Sequence, residues 1–401
     1  MRTKKLIADL SIFGGNPTFK NIRSTSNLVT PDIESFLKYT NRSFSQHQLS
    51  DNGPLVQELE QRLAGIHQTK HCVTFCNGFW GLVLTIKQLL LPGKTEVVMP
   101  AMTYRRLADI AAWVNLTPHF CDIDENTLGA SVETVAACIN DNTAIILIAQ
   151  PIVNICDIEG LETLAKQHNI PIIFDSVEAA YASNKGRMIG SFGDAECFSM
   201  HASKLINGFE GGYMTTNNLE LAQTVKQMSR FGYDENNNVK VLGVNAKLNE
   251  FHAAMSLASL DDLHDQIERN KARYQKYLYE LENIKGITVV RYNEDETRGF
   301  KNILIKLTKE WPISRECTLD ILHAENILAR PYYFPPLHQK KTEYETVYGD
   351  LPVADKLTNE YMLLPSGEFL SLDDIPRLAS LFQFLQRNGP TIQKDIKGIE
   401  K

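Results

Sequence analysis

The sequence predicts an α/β protein, with a mostly parallel central sheet in a large domain and a smaller C-terminal α+β domain. Two observations carry this. Short apolar runs alternate with helix-period segments through the first two thirds of the chain, the pattern of βαβ units with covered strands. After about residue 250 the texture changes to a long, increasingly charged helical pattern, then to short strands between helices.

Taken in order, HCVTFC (71–76) reads as a buried strand and GLVLTIKQLLL as the helix after it. TEVVMP (95–100) is the next strand, followed by the helical RRLADIAAWV. TAIILIAQ (143–150), IPIIFDS (170–176) and AECFSMH (195–201) continue the series, with GLETLAKQHN as a helix between them. The segment NEFHAAMSLASLDDLHDQIERNKARYQKYLYELENI reads as one long helix. GITVVRY and NILIKL are short strands, and RECTLDILHAEN and IPRLASLFQFLQR are helices. The expected division is a large domain over 1–255, a small domain over 256–390, and a loose polar tail over 391–401.

The 401 residues, 43% hydrophobic and 22% charged, suffice for more than one core. A net charge of −7 without a long basic run argues against nucleic acid as a partner. No apolar stretch reaches the roughly 18 residues a membrane span requires. The N-terminal MRTKKLIADLSIFGG lacks the apolar core and cleavage site of a signal peptide. Seven cysteines are scattered, and no second pair answers Cys72 and Cys76. They are expected to be buried thiols in a reducing cytoplasm, with no metal site.

Function is written most clearly around Lys204, in FSMHASKLINGFEGG (198–212). A lysine between apolar and glycine-rich runs is either a paired structural charge or a nucleophile. Two further features converge on it. Asp175 ends a buried strand, where α/β proteins open their ligand crevice. CNGFWG (76–81) is a glycine-bearing turn between strand and helix, where backbone amides favour an anion. A phosphorylated cofactor with an aldehyde and a pyridine nitrogen needs these three things: amide and hydroxyl donors, a carboxylate for the ring nitrogen, and a lysine for the aldehyde.

These motifs resemble the DegT/DnrJ/EryC1/StrS sugar aminotransferases, of fold type I among the pyridoxal-phosphate (PLP) enzymes. The resemblance runs through nearly the whole chain. It is carried by SDNGPLVQELEQRLAG (50–65), KGRMIGSFGDAECFSMHASKLINGFEGGYMTTNN (185–218), GVNAKLNEFHAAM (243–255) and ARPYYFPPLH (329–338). It implies that Lys204 carries the PLP aldehyde and that Asp175 partners the pyridine nitrogen. Gly78 and Phe79 would offer amides to the phosphate and Ser199 a hydroxyl, with Tyr104 over the cofactor face. Asn245 and Lys247 would reach the phosphate of the other subunit's cofactor, which implies a homodimer with shared sites.

Two positions depart from the family pattern. Glu178 stands where the family usually has Gln or His against the ring; a carboxylate there is costly unless protonated or paired. Phe79, followed by Trp80, replaces a Thr of the phosphate turn, so a hydroxyl contact is lost and two rings enter the wall. Other residues keep two readings. Arg105 and Arg106 are solvated helix-start charges or a diphosphate site. His338 is a loop residue or a substrate contact, and Tyr332 and Tyr333 are half-buried walls near the substrate. His201 is a core histidine or helps to position the site, and Glu210 bonds backbone groups of its turn.

The resemblance implies transfer of an amino group, from L-glutamate, to a keto group of a nucleotide-linked (dTDP, UDP or GDP) keto-deoxysugar, with the cofactor cycling through its pyridoxamine (PMP) form. The alternatives are a transaminase of a non-nucleotide keto sugar or cyclitol, and a PLP-binding regulator without turnover. The family's dehydratase branch replaces the lysine by histidine, and Lys204 argues against it.

Overall fold

The computed structural model describes residues 4–26, 28–234 and 236–399. Strands β1 His71–Phe75, β2 Glu96–Pro100, β3 Thr117–Cys121, β4 Thr143–Ala149, β5 Ile172–Asp175, β6 Ala195–Ser199 and β7 Gly212–Thr216 lie in one large sheet. Further strands follow at β8 Ile287–Val289, β9 Ile303–Leu307, β10 Arg330–Pro331, β11 Val347–Tyr348 and β12 Tyr361–Leu364. The large sheet has the order β11-β3-β2-β4-β5-β6-β7-β1, and the small one β8-β9-β12-β10. In the large sheet every pairing is parallel except those of β7, which runs antiparallel to both neighbours.

The period of two divides each central strand between two cores. In β4, Ile146 and Ile148 face one core, and Ile145 and Leu147 the other. The first core is covered by α1 Pro54–His67, α4 Ile158–His168 and α6 Glu250–Asp261. The second is covered by α2 Gly78–Leu89, α3 Leu107–Trp113 and α5 Leu219–Met228. A sheet covered on both faces explains why β4 is wholly buried and reads as an unbroken apolar run.

Several expectations change. The long helix after residue 249 is two helices, α6 and α7 Leu263–Leu281, broken at Asp262 (φ −90°, ψ 0°). TPHFC and GYMTT are strands that the apolar-run reading passed over, and Val347–Tyr348 returns from the C-terminal part to edge the large sheet. The first residues pack with the C-terminal part: Arg23–Ser24 pairs with Ile327–Leu328. There the buried Glu325 accepts from Ser11 N (2.7 Å) and Thr18 N (2.6 Å) and pairs with Lys4 (2.8 Å). Residues 391–399 are not a loose tail. They continue α8 Asp374–Ile399, and Ile392 is fully buried; residues 400 and 401 lie outside the described residues.

Candidate active site

The parallel strands bring their C-terminal ends to one rim. Asp175 ends β5 opposite Ala149 of β4 and Cys197 of β6. Ser199 ends β6 and Phe75 ends β1, and Gly212, the first residue of β7, pairs with both. That register sets the glycine turn against Ser199. A Cβ on Gly78 would meet Ser199 Cβ at 3.3 Å, and one on Gly212 would meet the Gly78 nitrogen at 2.4 Å, so Gly212 admits no side chain. The helix α2 begins there, with Asn77 capping it by accepting from Trp80 N at 3.0 Å. The amides of Gly78 and Phe79, in the first turn, have no intrahelical acceptor by position and face an anion favourably.

Lys204 sits in the loop between β6 and β7. Backbone bonds fold that loop on itself: Met200 N to Gly211 O (2.8 Å), Ala202 N to Phe209 O (2.9 Å) and Lys204 N to His201 O (2.8 Å). The Lys204 Nζ donates to Glu178 Oε1 at 2.6 Å. Glu178 stands in the short turn Val177–Ala179 after β5. Its other oxygen accepts from Lys301 Nζ (3.1 Å) and Asn302 Nδ2 (3.0 Å), on the residues leading into β9. The departure at Glu178 is thus answered by pairing. Burial raises its carboxyl, but Lys204 and Lys301 outweigh burial and hold it well below the usual carboxylate range, so it is ionised. Burial likewise opposes charge on Lys204, and Glu178 overcomes it, leaving the ammonium raised.

Asp175 has the opposite balance. Burial pushes it up to about 6, against the Val177 amide and the Lys204 charge that lower it, while Glu178 raises it further. The Val177 amide donates to it at 3.3 Å. A buried carboxylate so thinly satisfied suits a cationic ring N–H, and with the Lys204 amine and the anion cradle the donor set fits PLP.

The other expected residues divide. Tyr104, half exposed at 52%, lies beyond the end of β2, and its phenol acts on the Lys204 charge. Tyr333 is half-buried, with Glu178 and Asp175 in its electrostatic surroundings. Tyr332 is not half-buried: it is fully buried, and its hydroxyl accepts from Ile152 N at 3.4 Å, a core role. Phe79, Trp80 and the exposed Trp113 pack edge to face (centroids 5.7–6.1 Å). Arg105 is exposed, and Arg106 pairs with Asp109 at 3.1 Å. His338 contacts Asp355 (2.9 Å) and the Tyr348 ring. His201 is exposed rather than core, with Ser203 Oγ at 2.9 Å, and Glu210 is an exposed partner of His201 at 3.8 Å.

Among the described residues no contact brings Asn245 or Lys247 to Lys204. Asn245 is exposed, and Lys247 pairs with Asp51 and lies 5.4 Å from the Phe231 ring centroid. Ala246 between them accepts from Cys76 N at 2.7 Å, which brings the segment beside the start of the phosphate turn. Lys301 and Asn302 were missed in the sequence. The one available signal was a debt: a buried Glu178 needs more cation than Lys204 alone supplies, and Lys301 immediately precedes an apolar strand run. Among the described residues no cluster of His, Cys, Asp or Glu is placed to hold a metal ion, and no helix is long and apolar enough to cross a membrane.

The model of the DegT/DnrJ/EryC1/StrS aminotransferase family matches residues 31–383. The chain belongs to this family. Among DegT/DnrJ/EryC1/StrS-like relatives, the dTDP-4-amino-4,6-dideoxy-D-glucose transaminase of Shigella dysenteriae is 26% identical over 352 residues, 87% of this chain and 95% of that one. GDP-perosamine synthase of Caulobacter vibrioides is 28% identical over 343 residues, 84% of this chain and 92% of that one. The structure of DesI determined in the presence of its TDP-sugar product is 30% identical and superposes with a TM-score of 0.92, covering 98% of this chain and 100% of that chain. The large mixed sheet with its small C-terminal unit is the fold-type-I arrangement of the family's aminotransferases.

Proposed function

We propose that this aminotransferase uses PLP to move an amino group from an amino acid, L-glutamate, to the keto carbon of a nucleotide-linked keto-deoxysugar, and that it works as a homodimer in the cytoplasm. The observation that carries the reading is the Lys204 amine, 2.6 Å from an ionised Glu178 and under the charge of the buried Asp175, at the strand-end rim. The relatives act on sugars carried by dTDP, GDP and TDP, which supports the substrate class.

When bound, the cofactor supplies an aldehyde for the amino group and a ring that withdraws electrons from the reacting carbon. Asp175 keeps a proton on the ring nitrogen. The Gly78 and Phe79 amides and the Ser199 hydroxyl would hold the phosphate, and Tyr104 would cover the ring. Lys204 would hold the cofactor through its aldehyde carbon; as a free amine its Nζ would take the proton from the donor's carbon as base and deliver it as acid to the cofactor carbon that keeps the nitrogen, and would run the same transfer backwards on the sugar. Glu178 aims that nitrogen. Tyr333 walls the sugar side, and the exposed Arg105 is free for the diphosphate, with His338 as a second substrate contact. The buried thiols of Cys121, Cys156 and Cys197 suit a reducing compartment.

The test is a half-reaction. Adding L-glutamate to the PLP-loaded protein should remove the visible absorbance of the lysine-linked cofactor and release 2-oxoglutarate. An unchanged spectrum with every amino donor would leave a cofactor-binding protein without turnover.

The dimer has its own test. With shared sites, a heterodimer of Lys204→Ala and Lys247→Glu chains has one site carrying both lesions and one carrying neither. Co-refolded chains should regain about half the activity per dimer that contains both. If they form heterodimers and stay inactive, Lys247 does not serve its partner's site.

A further inference from the structure

Glu178 divides its charge between two lysines, and only one of them has a role in the reaction above. Oε1 faces Lys204 (2.6 Å); Oε2 faces Lys301 (3.1 Å) and Asn302 (3.0 Å). All three charged side chains are withdrawn from water, at 14% exposure for Glu178, 23% for Lys204 and 12% for Lys301. The adjoining cavity, about 20 Å³, has room for about one water. With Asp175 the cluster holds two carboxylates and two ammonium groups, and its charges cancel.

That balance holds only while Lys204 is a free ammonium. A lysine joined to an aldehyde, or carrying a proton to and from a carbon, no longer neutralises Glu178 in the same way. Left alone, a buried carboxylate is costly and takes up a proton. A neutral Glu178 is a poor magnet for the lysine when it is released.

Lys301 is the second cation on Glu178. It belongs to the small domain, and the backbone of the next residue, Asn302, is clamped. Asn302 N donates to the Tyr292 hydroxyl at 3.1 Å, and that hydroxyl donates to Asn302 O at 2.9 Å. The rings of Tyr274, Tyr292 and Phe300 pack around the clamp at 5.0–5.4 Å. Nothing in the amino transfer draws on Lys301.

We propose that Lys301 is a positioning residue, the standing counter-ion that keeps Glu178 ionised while Lys204 is engaged, so that the carboxylate can receive and aim the lysine on its release. This rests on Lys204 being the cofactor lysine. Burial lowers Lys301 to about 8, with Glu178 pulling it up and Lys204 and Arg330 pushing it down. The groups facing it are therefore Glu178 after β5, Lys204 after β6, Arg330 in β10 and the Tyr292 phenol. As pH rises through about 8, Lys301 loses its proton and Glu178 loses its second cation.

Two experiments test this. The first uses the cofactor-free protein and thermal unfolding. Lys204→Ala and Lys301→Met should each lower Tm modestly, because the other lysine still serves Glu178. The double variant should lose more than the sum, and adding Glu178→Gln should restore most of the loss. Additive shifts without rescue overturn the proposal, and because no cofactor is present they leave the transaminase reading intact. The second uses the holoenzyme. Its kcat should fall on the alkaline side, at a pH above about 8 because an engaged Lys204 no longer pushes Lys301 down, and Lys301→Arg, which keeps its charge, should move that fall upward by about one pH unit or more. The same fall in both proteins overturns the proposal, whereas a wild-type protein with no transaminase activity counts against the reading beneath it.

Discussion

Lys204→Ala should abolish amino transfer and leave a folded protein. The variant loses the covalent anchor of the cofactor and the group that moves the proton. General acid–base help alone is worth roughly 10²–10⁴-fold, and both functions vanish together, so kcat should drop by at least ~10⁴-fold. The fold should survive for a reason visible at the site: Glu178 keeps Lys301 and Asn302, so no buried charge is stranded. The packing removed is the lysine's aliphatic stem. Spectra of the loaded variant should lack the band of the lysine-linked cofactor. Retention of both that band and wild-type turnover would move the reactive amine elsewhere.

Asp175→Asn should be the next most damaging change, with turnover down about 10²–10³-fold, near 3–4 kcal/mol of barrier, as for other lost preorganised charges. An amide cannot hold a proton on the ring nitrogen. The change also has a pH signature. Burial pushes Asp175 up to about 6 in the cofactor-free chain. Below that pH it is protonated and cannot partner a cationic ring, so wild-type cofactor affinity should weaken as pH falls through about 6. The sign for folding is the reverse. A carboxyl raised above its unfolded value favours the folded state when protonated, so its contribution improves as pH falls from about 6 towards 4. The Asn variant should bind weakly and lack both trends. Equilibrium binding and thermal unfolding across pH 4.5–8 would show either. Normal kinetics in Asp175→Asn would make the residue a strand-end carboxylate only.

What the sequence made legible follows the physics of the sheet. Asp175, Ser199 and the Gly78 turn announce themselves because each sits at the end of an apolar run, where a parallel strand must stop. Lys204 is marked by the contrast between its charge and its neighbours. Glu178 was visible as an anomaly, but its solution was not. Lys301 and Asn302 lie more than a hundred residues away, and their approach depends on how the small domain seats against the large one. No local pattern encodes that seating.

The same limit explains the strands that went unread. TPHFC carries a proline and a histidine, and GYMTT opens on the second of two glycines, so neither looks like a buried run; both are strands because their neighbours complete the ladder. Val347–Tyr348 joins the large sheet across more than two hundred residues of chain. Tyr332 reads in the sequence, with Tyr333, as a half-buried wall, yet its ring is fully buried in the core while Tyr333, one residue on, is half-buried. The final helix runs on past Pro390, which reads as a stop; among the described residues Ile392 is buried there and favours continuation.

The central claim is that an amino group crosses from an amino acid to a nucleotide-linked sugar. It is tested most directly with ¹⁵N-labelled L-glutamate, the PLP-loaded protein and keto-deoxysugars carried on dTDP, UDP and GDP, with the sugar nucleotides read by mass spectrometry. The account predicts a new aminosugar nucleotide carrying the label with at least one of them, and none with Lys204→Ala. Conversion of glutamate without label in any sugar nucleotide, or label in a free keto sugar or cyclitol alone, would contradict it.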